Sequence, residues 1–300
     1  MGLELIKLLY PTGAAIYMAS RSRERAEAAI TQVISDAAKL TAPKSPGTIT
    51  FLHLDLDDLT TIKSSAAAFA SRESRLDVLW NNAGLALVTP GSKTAQGIET
   101  HIGVNCVAPL LFTQELLPLL RNAAASSAPG MTRVVWTSSI AAETLSVSGG
   151  VDFSILDDIH TGAKGTGDWK REYGMSKVGN WFFAAEGARR WGTETAPGKG
   201  DAVVSVVENP GQLNTPSYRH QSKLFMAWFR LTLYPPKFGG YTMLFAGLSP
   251  EVGLETNGAY IRPWGRLQEK SSRQDIEQAI KDGRAKEFWA WCERAYKPYV

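Results

Sequence analysis

The chain has 300 residues, 44% of them apolar, with a formal net charge of +3 at pH 7. That size and composition suit one α/β domain with a substantial core, and the modest charge with no long basic run argues against a nucleic-acid groove. Cys106 and Cys292 lie far apart in sequence and fit no disulfide or metal framework, the four histidines are scattered, and neither a secretory signal nor a bilayer-length apolar run is apparent, so a cytoplasmic protein without a metal is expected.

Taken in order, Gly2 to Leu9 reads as an amphipathic helix closed by Pro11, Thr12 and Gly13. Ala14 to Ala19 reads as a buried strand, followed by a helix to about Leu40 and a turn at 43–47. Thr48 to Leu54 is a strand ending at Asp55, Asp58 to Ser71 a helix, and Leu76 to Trp80 a strand running into Asn81-Asn82-Ala83-Gly84. A long helix is predicted from Gly97 to Asn122, bent at Pro109. Strand 133–138, a helix from Tyr173, strand Ala202 to Val207, strand Ala259 to Arg262 and a last aromatic helix to about Tyr296 complete the set.

Apolar strands alternating with helices predict a Rossmann-type, doubly wound parallel sheet covered on both faces, spanning residues 1–300 as a single domain. Ligands of such sheets bind at the carboxyl ends of the strands. Ser20, Arg21, Asp55, Asn81 to Gly84, Ser139, Pro210 and Gly211 all fall at predicted strand ends, which argues for one shared site.

The chemistry concentrates between Ser139 and Lys177. Tyr173 and Lys177 are spaced to share a helix face. A phenol normally titrates near pH ~10, and a neighbouring ammonium favours its ionised form. A strand-end serine supplies a hydroxyl for a carbonyl or developing alkoxide. Alone, Tyr-x-x-x-Lys is a weak signal, because the pair often decorates a helix surface.

Together with Asp55, Asn81 to Gly84, Asn105, Ser139, Pro210-Gly211 and Thr215, it resembles the short-chain dehydrogenase/reductase family over nearly the whole chain. The long gap between Ser139 and Tyr173, carrying Val151 to Asp158, resembles the retinol-dehydrogenase-like branch. The resemblance implies that Tyr173 donates or accepts the proton, that Lys177 assists it and holds the nicotinamide ribose, that Ser139 orients the carbonyl and that Asn105 positions a water relay. It also implies cofactor contacts from Ser20, Arg21, Asp55, Asn82, Leu213 and Thr215. Arginine at position 21, where an acidic residue would suit a bare ribose diol, favours NADP.

The family's first strand and its glycine-rich turn are absent, and Met1-Gly2-Leu3-Glu4 resembles the tail of that turn. The absent strand would lie between the strands at 14–19 and 76–80, which exposes two edges. Either the sequence is a shortened form of a longer chain, or the truncation is real. The expected function is an NADP(H)-dependent oxidoreductase acting on an apolar carbonyl or alcohol. The alternatives are a cofactor-free binding or regulatory relic, and a non-redox acid–base catalyst. Leu224 to Tyr234, within a segment of about 212–250, reads as an apolar substrate lid, with peripheral membrane contact or a dimer surface as rivals. A homodimer through helices 97–122 and 173–192 is implied by the resemblance alone.

Overall fold

The computed structural model describes residues 1–39, 46–86, 88–160, 168–215 and 232–300. Residues 216–231 of the predicted lid, Leu224 to Leu231 among them, lie outside the described residues.

Among the described residues, six short parallel strands and one antiparallel strand form the centre. They are β1 (Ala15–Ser20), β2 (Thr48–His53), β3 (Val78–Asn81), β4 (Arg133–Thr137), β5 (Val204–Glu208), β6 (Tyr260–Arg262) and β7 (Arg266–Leu267). The helices between them are α1 (Gly2–Leu9), α2 (Arg23–Lys39), α3 (Ile62–Ala70), α4 (Thr100–Ala125), α5 (Ala141–Thr144), α6 (Phe153–His160), α7 (Trp169–Trp191), α8 (Lys237–Leu248), α9 (Gln274–Lys281) and α10 (Arg284–Tyr296). The architecture is the expected Rossmann-like α/β fold.

The sheet is in two parts. Among the described residues β1 pairs only with β2, and β3 to β7 form a separate five-stranded sheet in that order. The edges of β1 and β3 face a cavity of about 1250 Å³ whose walls include Ile16, Met18, Val78 and Trp80 from the strands and Leu5 and Phe112 from the helices. α1 and α8 cover one face of the sheet, packing Leu5, Leu9 and Met243 into one core. α3, α4 and α7 cover the other.

Three differences from the sequence reading have physical causes. The long helix begins at Thr100, because the Glu99 carboxylate caps it by accepting the N–H groups of His101 and Ile102. Its irregularity is a π turn over Gly103–Val107, directly before Pro109, whose missing N–H cannot bond the Asn105 carbonyl. By length and composition this helix passes as a membrane span, but 72% of its most apolar window is buried in the protein, and it serves as the core helix. Secondly, α8, at the end of the segment read as a lid, lies against the sheet beside α1, where a Cβ at Gly240 would come 3.0 Å from Glu4 Cβ. Thirdly, α7 starts at Trp169, one turn before Tyr173, because Asp168 caps it.

α10 closes the outside of α7 with aromatic side chains. Phe288 stacks on Phe183 with centroids 5.4 Å apart, and Trp289 meets Trp191 edge-on at 5.1 Å. The same helix reaches α4, where Gln114 donates to Glu293 at 2.8 Å.

Candidate active site

Ser139 follows the end of β4, half-buried, and its hydroxyl oxygen accepts the Ala141 N–H at 3.2 Å, fixing it at the entrance of α5. Ser138, fully inside, instead donates to the Lys177 carbonyl at 2.8 Å, which ties the strand end to α7. Ser138 is structural glue, and the neighbouring Ser139 is the accessible hydroxyl.

Lys177 is 7% exposed. Its ammonium donates to the Thr137 carbonyl at 3.0 Å and lies 5.8 Å from the centroid of the Tyr173 ring, one helical turn earlier. Burial depresses Lys177 to about 8, against the opposing influence of Cys106 and Glu208. Tyr173 itself is half-buried.

Asn105 sits in the π turn, 2% exposed. Its side-chain amide accepts the Leu85 N–H at 2.7 Å and donates to the Leu85 carbonyl at 2.9 Å and to Ser176 Oγ at 3.0 Å. The π turn thereby locks the loop after β3 to α7. Gly84 is required there, because a Cβ would stand 2.7 Å from Asn105 Oδ1 and 3.7 Å from Lys177 Nζ.

The predicted cofactor residues occupy the walls of the cavity at the strand ends. Ser20, Arg21, Asp55 and Asn82 all line it, and so does Gly84. The Arg21 side chain is 63% exposed and only loosely paired with Asp55, at 3.9 Å. Asn82 Oδ1 is buried with no hydrogen-bond partner among the described residues, and its amide nitrogen would meet a Cβ on Gly2 at 2.8 Å. Leu213 is buried and bridges to Tyr234, whereas Thr215 is half-buried. Neither of these two is on the cavity wall.

Asn105 and Lys177 therefore meet at Gly84, with Tyr173 one helical turn from Lys177, while Ser20, Arg21, Asp55 and Asn82 line the cavity. Sequence reasoning missed the Thr137 carbonyl, which holds Lys177, and Ser176, which holds Asn105. Neither has a pattern to betray it, since one is backbone and the other an ordinary helical serine. It also missed Glu208, which is completely buried at the end of β5 with both carboxyl oxygens unpaired among the described residues.

Comparison with known proteins bears on the lineage of the chain. The short chain dehydrogenase family profile matches residues 1–151. A short-chain dehydrogenase/reductase of Pestalotiopsis fici, iacJ, is 51% identical over 301 residues, covering 100% of this chain and 87% of its own length. Among solved structures, the Pseudomonas aeruginosa RhlG/NADP active-site complex superposes with a TM-score of 0.61 at 20% identity, covering 88% of this chain and 90% of that one. An NADPH-bound carbonyl reductase from chicken fatty liver gives 0.57 at 20% identity, with 85% and 87% covered. At such identity the structural likeness is one of fold, whereas the sequence matches settle the lineage: the chain belongs to the short-chain dehydrogenase/reductase family of oxidoreductases.

Proposed function

We propose that the protein is an NADP(H)-dependent oxidoreductase, close to the retinol-dehydrogenase-like branch, that interconverts a carbonyl and an alcohol on an apolar small molecule. The observation that carries this reading is the placement of Lys177, buried and held by the Thr137 carbonyl beside the face of Tyr173. Its positive charge stabilises the negative charge left on the tyrosine oxygen when the proton moves to the substrate. Ser139 would hold the substrate oxygen while that proton transfers. The free side of Arg21 and the unpaired Asn82 Oδ1 fit a phosphorylated adenosine ribose at the cavity wall. A bound nicotinamide would supply or take the hydride. A cytoplasmic setting and the remaining lid residues ahead of α8 belong to the same proposal.

Purified protein, NADPH and a panel of apolar ketones and aldehydes test it. Turnover is expected in the native chain and its loss by at least about a thousandfold in Tyr173→Phe, the scale of positioned proton transfer. Full activity in that variant removes the catalytic assignment. Activity without any nicotinamide would instead favour non-redox acid–base chemistry.

The split sheet favours a second statement about the working form. We infer that the groove between β1 and β3 takes one further extended strand. Edge N–H and C=O groups need partners, and the apolar walls suit β-branched side chains. Gly2 lies against Asn82 at the end of β3, so a strand leaving the groove there would lead into α1. A homodimer through α4 and α7 belongs to the same proposal; within the chain α10 packs on both helices.

A further inference from the structure

We propose that Arg273 is a positioning residue of the site, the clasp that fixes the segment after Ser139 against the helix carrying Tyr173 and Lys177. This rests on the catalytic reading of those residues given above. Arg273 stands just ahead of α9, its side chain 17% exposed. One edge of its guanidinium, Nε and Nη2, grips the two oxygens of the Asp275 carboxylate at 2.8 Å each. The rest of the fork faces the backbone of residues 142–147. Nη1 donates to the Ala142 and Glu143 carbonyls at 3.3 and 3.0 Å and to Ser146 Oγ at 2.8 Å, and Nη2 donates to the Val147 carbonyl at 2.8 Å. The last carbonyls of a helix lack backbone partners, and a planar fork can serve several at once. Asp275 completes the clasp by accepting the Gly149 N–H at 2.9 Å, and Ser272 donates to the Glu143 carboxylate at 2.6 Å.

The clasped segment touches the catalytic elements at both ends. At its start, the Ser139 carbonyl accepts the Ala142 N–H at 3.0 Å and the Ser139 hydroxyl accepts the Ala141 N–H. Along its flank it meets α7: a Cβ on Gly174 would come 2.6 Å from Ser146 N, and a Cβ on Gly150 would come 2.4 Å from Val178 Cγ1. Gly174 and Val178 directly follow Tyr173 and Lys177. By itself the segment is weakly ordered, because α5 is only four residues long and Gly149 and Gly150 both have positive φ. Arg273 reaches it from more than a hundred residues away and holds its carbonyls in one arrangement. The fork also keeps the Asp275 carboxyl below its usual range, so the pair stays ionised at neutral pH and the clasp stays closed. Its effect on the reaction is indirect, through the placement of Ser139 against Tyr173.

The test measures kcat and KM for NADPH-linked ketone reduction in the native chain, Arg273→Ala and Arg273→Lys. In Arg273→Ala, kcat is expected to fall about a hundredfold with the KM for NADPH unchanged, the scale of a reacting group displaced by about 1 Å. Added guanidinium ion, kept below denaturing concentration, is expected to restore part of that loss, while Arg273→Lys stays low because an ammonium cannot span the fork. Native kcat in either variant, or a loss of kcat matched by an equal rise in the KM for NADPH, overturns the proposal. A second arm needs no turnover and so separates this inference from the redox reading: amide hydrogen exchange is compared at residues 139–150 and in β4 and β5. Faster exchange confined to 139–150 in Arg273→Ala supports the clasp even in a chain that reduces no ketone. Acceleration spread over the strands, or none at all, refutes it. Asp275→Asn loosens the same clasp without opening a hole, and it is expected to give the same pattern more weakly if Arg273→Ala does not fold.

Discussion

Asn105 and Leu85 are joined at two points, with the amide oxygen of Asn105 on the Leu85 N–H and its nitrogen on the Leu85 carbonyl. The pairing imitates a strand contact made by a side chain. It holds the loop after β3 in register with α7 and leaves room for only a hydrogen at Gly84.

Gly84→Ala should therefore disturb both sides of the site together. The added methyl would force the Asn105 amide or the loop aside, at a cost of about 1–3 kcal/mol. Turnover should fall at least about tenfold, and thermal unfolding measured alongside kcat should show both losses. A fully active and equally stable variant would mean that the loop relaxes freely.

Arg21 separates the two cofactors. Its guanidinium is mostly exposed and its only described ion pair, to Asp55, is long. Arg21→Ser should raise the KM for NADPH about tenfold, equal to about 1.4 kcal/mol, while leaving the KM for NADH nearly where it was. Equal effects on both cofactors would take the 2′-phosphate away from this residue.

Asp201 sets part of the acid sensitivity. Burial pushes its carboxyl up, but the Thr195 hydroxyl and N–H, Lys199 and Arg121 outweigh it and hold the group at about 2. A depressed carboxylate contributes stability that is fully present above its unfolded value, near 3.8, and disappears as pH falls through the folded value. Asp201→Asn should cost about 2 kcal/mol in urea unfolding at pH 7, with the gap to the native chain closing between pH 4 and 2. A gap independent of pH would assign the loss to packing.

The groove between β1 and β3 predicts a gain rather than a loss. A strand of β-branched residues and a glycine turn, fused ahead of Met1, should slow amide hydrogen exchange at residues 15–20 and 78–81. A fusion with the same residues scrambled to include proline should not. Exchange that is already slow in the unextended chain would show that these edges need no partner.

Much of this was legible in the sequence where pattern and chemistry coincide. β1 to β6 are within two residues of their predicted bounds at most ends, because each is a short apolar run closed by a turn. The join between Lys177 and Tyr173 followed from helical spacing alone. What stayed hidden depends on distant parts of the chain. The antiparallel β7 is two residues long, too short for any periodicity. α8 read as part of a lid because its apolar, glycine-rich face is explained only by α1, far away in sequence. Glu208 looked like the polar end of a strand, and only the packing of the sheet against α1 and α8 buries it. The π turn was visible as Pro109, but its product, an inward-facing Asn105, depends on Leu85 and Ser176.

The position of Trp80 on the groove wall has a practical consequence. Trp136, Trp181, Trp191, Trp289 and Trp291 are buried in the layer around α7 and α10, away from the cavity, while Trp80 lines it and donates to the Met243 carbonyl at 2.9 Å. Emission from the five core indoles reports loss of the whole fold. Trp80 alone among these six registers whatever enters between β1 and β3, so the part of the emission that is lost when it is replaced with phenylalanine reports occupancy of that groove.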